Sequence, residues 1–277
     1  MCRWLAYTGT PVLLDTVLYK PVHSLIDQSL HSRMGVETTN GDGFGIGWYA
    51  PDNDTPAVVR DTGPAWSNCN LREIADHVRS PLFFAHIRAS TGAPVQQTNC
   101  HPFRHGRWMW MHNGEITDFH QRRRDLALAV DPALFLDIKG STDSEMMFYL
   151  ALTFGLEQDP PGAVARMAGV VERTGHDHGV EFPLHMTVAV TDGQQTWVFR
   201  YSSQGASGSL YYSTQVEALR ALHLDVEFLQ EVSDETRLIV SEPLGDLPGV
   251  WNEVPESSYG VVRPGGDTLL PFAPQPV

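Results

Sequence analysis

The 277-residue chain predicts an α+β fold: two mainly antiparallel sheets with helices on their outer faces, stacked as four layers. Three observations lead there. Strand-length runs lie on both sides of a central helical block and do not alternate regularly with helices, which disfavours a doubly wound parallel sheet. A hydrophobic share of 42% with 19% charged residues is that of a globular chain. No internal repeat or linker divides it, so residues 1–277 read as one domain, with a proline-containing tail from about Arg263 that packs over the surface or frays.

The elements follow in order. Residues 2–8 alternate and are rich in Trp, Leu and Tyr, as a strand would be. Residues 22–33 place Leu25, Ile26, Ser29 and Leu30 on one helical face. Residues 43–49 read as a strand whose small residues allow close backbone approach. Residues 70–79 read as a helix, with Asn70 and Glu73 at capping-box spacing. Leu82 to Ile87 and Arg107 to Met111 read as buried strands. Thr142-Asp143-Ser144-Glu145 is a second capping box, opening an apolar helix to about Phe154 and placing Asp143 in its first turn beside exposed backbone N–H groups. A further helix spans about 161–173, and strands follow at 184–191, 195–201, 209–213, 226–232 and 236–241.

Charge and cysteine usage narrow the function. A formal net charge of -14 argues against a nucleic-acid partner, which needs a basic face. The one basic run, Arg122-Arg123-Arg124, reads as a solvated helix face. No apolar stretch approaches the ~18 residues of a membrane span, and the start of the chain is not that of a secretory signal, so no membrane partner is expected. Three cysteines do not make a paired framework, and the reducing cytoplasm suits a working thiol.

Cys2 directly follows Met1. Removal of Met1 would leave a thiol and a free α-amine in one residue. Their reference pKa values, about 8.5 and about 7.7–8.0, both lie near neutrality, and a terminal amine can activate a neighbouring nucleophile. Four further segments stand out: Asn40-Gly41-Asp42-Gly43-Phe44-Gly45-Ile46-Gly47-Trp48, Ala85-His86-Ile87-Arg88-Ala89-Ser90-Thr91, Thr98-Asn99-Cys100-His101-Pro102-Phe103 and Met111-His112-Asn113-Gly114-Glu115.

Together with Cys2 and Ser141-Thr142-Asp143-Ser144-Glu145, these segments resemble the glutaminase domain of class II glutamine amidotransferases, members of the N-terminal-nucleophile hydrolases. The opening Met-Cys-Arg-Trp-Leu-Ala-Tyr looks most like the stand-alone branch, and the resemblance covers roughly residues 2–242. It implies that Cys2 attacks a side-chain amide carbon while its own amine serves as base. It implies oxyanion donors at the Asn113 side chain and the Gly114 N–H, Arg88 and the Thr91 hydroxyl at the substrate α-carboxylate, and Asp143 at its α-ammonium. Amide hydrolysis independently asks for a nucleophile, a base, oxyanion donors and two opposite charges, and the sequence offers a candidate for each.

Blander readings exist. Arg88 could be an ordinary ion-pair partner, Asp143 could merely complement a helix dipole, and Asn113-Gly114 is a common turn pair. His86, His101 and His112 with Cys100 do not show the spacing of a closed zinc site, so they are read as satisfied structural histidines and no metal or cofactor is expected. The glycines at 41–47 lack the spacing and the strand–loop–helix context of a dinucleotide site.

The expected activity is therefore hydrolysis of glutamine or another γ-glutamyl amide through a thioester at Cys2. The partner is a small-molecule substrate. With no synthase domain in view, either a separate enzyme accepts the ammonia or the substrate is a larger γ-glutamyl compound. The alternative is a catalytically silent glutamine sensor or scaffold with the same fold.

Overall fold

The computed structural model describes residues 2–34, 38–90, 92–263 and 266–277. The strands are β1 (Arg3–Leu13), β2 (Phe44–Ala50), β3 (Asn53–Asp61), β4 (Arg79–Ile87), β5 (Phe103–His105), β6 (Trp108–Ile116), β7 (Leu184–Thr191), β8 (Thr196–Ser202), β9 (Tyr211–Ser213), β10 (Arg237–Val240), β11 (Trp251–Glu253), β12 (Ser258–Arg263) and β13 (Gly266–Pro271). They form a seven-stranded sheet, β11-β9-β10-β1-β4-β2-β3, and a six-stranded sheet, β13-β12-β8-β7-β6-β5. Neighbours within each sheet run antiparallel. Pro56, which cannot donate to a ladder, sits on edge strand β3.

Two-residue periodicity sorts the side chains into three cores. In β1, Leu5 and Tyr7 face outward helices while Trp4 and Ala6 face the second sheet. In β6, Trp108 and Trp110 face outward and Met109 and Met111 face the first sheet. The two sheets thus share an interface with an apolar core, and each buries its other face under helices.

Those helices are α1 (Leu14–Leu18), α2 (Leu25–His31), α3 (Cys69–His77), α4 (Phe119–Leu128), α5 (Pro132–Phe135), α6 (Asp143–Thr153), α7 (Pro160–Asp177), α8 (Val216–Leu222) and α9 (Glu227–Glu231). Residues of α1–α3, α8 and α9 share the core outside the first sheet, and residues of α4, α6 and α7 share the core outside the second. α6 is apolar on nearly every side because it packs between α4, α7 and β6. The four-layer α+β expectation holds. No described helix is long and apolar enough to cross a membrane.

Three local expectations are corrected, and the structure gives the tail a definite form. The cap of α3 is Asn68, whose side chain accepts from Leu71 N, and Asn70 lies inside the helix. Residues 226–232, expected as a strand, contain helix α9: Val226, Leu229 and Val232 recur at helical spacing and pack on the same core. The tail forms the β12–β13 hairpin, and Phe272 then inserts against Phe199 and Tyr201. Arg122 is 1% exposed, not solvated, because α4 turns it under α7, where a Cβ on Gly175 would lie 2.7 Å from its Nη1. Its neighbours Arg123 and Arg124 are exposed.

Candidate active site

Cys2 leads into β1, the strand at the heart of the first sheet, and the pairing of Arg3 with Ile87 sets it opposite the end of β4. Its Sγ lies 3.3 Å from both the N–H and the carbonyl oxygen of Ala89. Burial pushes the thiol pKa up, more than the Ala89 N–H and the positive charges of Arg88 and Arg3 pull it down. A thiol held this way stays protonated at neutral pH and needs a base to react.

The second sheet supplies the opposite wall. Asn113 lies within β6, paired with Thr187 of β7, so Asn113-Gly114 is strand and not turn. The Asn113 Nδ2 donates to the Cys2 carbonyl oxygen at 2.8 Å, and its Oδ1 lies 3.1 Å from His86 Nε2. Gly114 has φ +133°, and a Cβ there would lie 1.9 Å from the His185 carbonyl oxygen. Only glycine can run the backbone this close to its neighbour.

Arg88, 4% exposed, follows β4. Its Nη2 donates to Ser90 Oγ and Ala93 O, both at 3.1 Å, and Nη1 reaches Asp42 O at 3.5 Å. These oxygens are uncharged, so the guanidinium has no ion-pair partner among the described residues. Asp42 holds the surrounding loop, its Oδ2 accepting from Ser90 N at 2.7 Å.

Asp143 opens α6. Its Oδ2 accepts from Ile116 N at 2.9 Å and its Oδ1 from Ser144 N at 2.8 Å. The carboxylate is thereby aimed by β6 and by its own helix, in accord with both the binding and the dipole reading. Thr142 caps α6 by accepting from Glu145 N. Glu145 does not complete the expected box. It accepts instead from Lys139 N and Gly140 N, pinning the loop before the helix. Asn99 holds the same loop through Ser141 N at 2.8 Å.

Cys2, Arg88, Asn113, Gly114 and Asp143 line one cavity of about 540 Å³. Thr91, and Met1 with it, lie outside the described residues. The cavity combines a thiol, a guanidinium, an amide and a carboxylate, the set needed to hold an amino-acid head and attack a carbonyl beyond it.

Three histidines, His86, His101 and His112, are buried between the sheets, and the last two line the cavity. Burial lowers all three pKa values, that of His86 to about 3, so the rings are neutral. They are unequally satisfied. His112 engages Ser144 Oγ at 2.8 Å and His185 O at 3.3 Å; among the described residues His86 makes a well-formed hydrogen bond on Nε2 alone, and neither nitrogen of His101 makes one. No cluster of three or more metal-ligating side chains occurs among the described residues, and the three cysteines are free thiols.

Sequence reasoning missed the support beneath Cys2. Arg3 Nη1 donates to the Cys2 carbonyl at 2.9 Å, and its Nε pairs with Glu242 at 2.5 Å. Glu242, 1% exposed, also accepts from His23 Nε2, Ser32 Oγ and the backbone N–H groups of Arg33 and Met34. Burial alone would raise its pKa, but these donors and Arg3 more than offset that and hold it at about 2. The signal was Arg3 itself: an arginine inside an otherwise apolar strand requires a buried anion.

Comparison with known proteins finds relatives over nearly the whole chain. The family described as "Glutamine amidotransferases class-II" matches residues 13–275. The chain is 33% identical over 298 residues to the probable glutamine amidotransferase DUG3 of Saccharomyces cerevisiae, covering 95% of this chain and 82% of the yeast protein. It is 25% identical to the gamma-glutamyl-hercynylcysteine sulfoxide hydrolase of Mycolicibacterium smegmatis, covering 98% of this chain and 100% of that one. Among solved structures, a glutamine aminotransferase class-II domain protein from Silicibacter pomeroyi superposes with a TM-score of 0.74 at 33% identity, covering 99% of this chain and 100% of the other.

Proposed function

The chain belongs to the class II glutamine amidotransferases, and from that premise we propose that it hydrolyses the side-chain amide of glutamine or of a larger γ-glutamyl compound, with Cys2 as nucleophile once Met1 is removed. The observation that carries this reading is the convergence of Cys2, Arg88, Asn113 and Asp143 on one cavity.

The α-amine of Cys2 takes the thiol proton, and Sγ adds to the amide carbon. The developing oxyanion is met by the Asn113 Nδ2 and the Gly114 N–H. Collapse breaks the C–N bond, the amine proton passes to the leaving nitrogen, and a γ-glutamyl thioester remains. Water then adds to the thioester and releases glutamate and the thiol. Arg88 holds the substrate α-carboxylate as a planar fork, with the Thr91 hydroxyl beside it, and Asp143 accepts from the α-ammonium. The leaving group is ammonia from glutamine or a larger amine from a γ-glutamyl conjugate. The mycobacterial relative's name supports the second kind of substrate.

Intact mass before and after 6-diazo-5-oxo-norleucine, with glutamate release from γ-glutamyl amides, tests the proposal. The expected result is loss of Met1, one adduct on Cys2, and no turnover by Cys2→Ala. Turnover by Cys2→Ala at the wild-type rate would overturn it. Glutamine binding by processed protein without adduct or turnover would assign a sensor instead.

A further inference from the structure

Asn113 can serve an oxyanion only if its amide faces the right way, and two neighbours bear on that: the Cys2 carbonyl oxygen, which can only accept, and the buried His86. His86 is 1% exposed, and its Nε2 lies 3.1 Å from Asn113 Oδ1. Among the described residues its Nδ1 has no well-formed hydrogen bond. The ring is gripped between its strand and the His101 ring, with centroids 4.1 Å apart, and His101 is braced edge-on by Phe103.

A neutral imidazole carries one proton. On Nδ1 it would be a buried donor without a well-formed bond, which costs far more than a bare ring nitrogen. The proton therefore sits on Nε2, and the oxygen of Asn113 must face it. That orientation sends Nδ2 toward Cys2, where one of its hydrogens meets the Cys2 carbonyl oxygen at 2.8 Å. The other hydrogen is left for the cavity. Burial, reinforced by the nearby Arg88 charge, holds His86 at about pKa 3, so this single-donor state persists at working pH.

We propose that His86 is a positioning residue that fixes the Asn113 amide through an Nε2–H···Oδ1 hydrogen bond, so that Nδ2 is ready for the oxyanion. The inference rests on the function proposed above, in which Asn113 is an oxyanion donor.

Two measurements test it. Nitrogen NMR of the histidine side chains in the wild-type protein reads the tautomer directly and needs no turnover. The expected result is a neutral His86 protonated on Nε2 from pH 6 to 8. Protonation on Nδ1 overturns the proposal whatever the enzyme hydrolyses. Steady-state kinetics then read the coupling. His86→Leu should lower kcat at least about tenfold, and at most by the ~10²–10³ that loss of an oxyanion donor costs, with KM changed less than about twofold. His86→Gln, which keeps a donor, should recover most of that loss. In an Asn113→Ala background, His86→Leu should cost nothing further, because its effect runs through Asn113. Multiplicative losses, or a His86→Leu enzyme with wild-type kcat, overturn the positioning role while leaving the Cys2 chemistry standing. Absence of γ-glutamyl hydrolysis by the processed wild type would instead overturn the function on which it rests.

Discussion

The Asn113 side-chain amide donates to the carbonyl oxygen of Cys2 at 2.8 Å, tying β6 of one sheet to the residue that leads into β1 of the other. The proposed nucleophile and the proposed oxyanion donor are thus fixed to each other across the interface between the sheets. Rigid elements hold reacting groups more precisely than loops do.

Asn113→Ala should therefore lower kcat by about 10²–10³, with KM nearly unchanged, since a donor aimed at an oxyanion acts mainly in the transition state. Steady-state glutamate release is the measurement. A kcat within threefold of wild type would remove Asn113 from the proposed chemistry. The Cys2 carbonyl keeps its bond from Arg3 in this variant, so modification of Cys2 by the diazo label should persist at a reduced rate.

Glu242 sets a pH limit on the fold. Its carboxyl titrates at about 2 in the native protein against an ordinary 4.5. A depressed carboxylate stabilises the folded state fully above the unfolded pKa, and the stabilisation is lost as pH falls toward the folded one. At about 1.4 kcal/mol per unit this amounts to roughly 3 kcal/mol, present above about pH 5 and lost from about pH 4.5 toward pH 2. Glu242→Gln should be destabilised by about 3 kcal/mol or more at pH 7, since it also removes the carboxylate that pairs with the buried Arg3 guanidinium. Urea unfolding of both proteins at pH 7 and pH 3 should show the gap narrowing at the lower pH. An equal gap at both would assign the loss to packing alone.

Much of this was legible in the sequence because it was written locally. The run from Trp4 to Tyr7 announces a strand, which the structure buries on both faces, and Thr142 and Glu145 mark the start of α6. The glycines of β2 announced close approach, and a Cβ on Gly45 would indeed lie 2.0 Å from the His101 carbonyl oxygen. What stayed hidden depends on partners distant in sequence. Glu242 is 239 residues from Arg3, and no local pattern couples them. The unequal satisfaction of His86, His101 and His112 emerges only when two sheets face each other. Arg122 resembled its exposed neighbours in composition, and only the rotation of α4 distinguishes them.

The tail was illegible for a related reason: its order comes from the helix that receives it. A Cβ on Gly169 of α7 would lie 1.8 Å from the Gln275 carbonyl oxygen. Gln275 N donates to Ala165 O at 2.9 Å, and Arg173 Nη1 to Val277 O at 2.6 Å. Gly169→Ala suits a helix, where alanine is favoured over glycine by about 1 kcal/mol, but α7 packs on the core and cannot retreat. The tail must move instead, breaking the bonds after Phe272, while Phe272 itself stays anchored against Phe199 and Tyr201. Carboxypeptidase should then trim the last residues of Gly169→Ala while sparing the wild type. The tail lies on the outer helical layer, and none of its residues lines the cavity, so γ-glutamyl hydrolysis should be unchanged. Equal resistance of the two proteins to trimming would mean that the hairpin, not the α7 contact, orders the end of the chain.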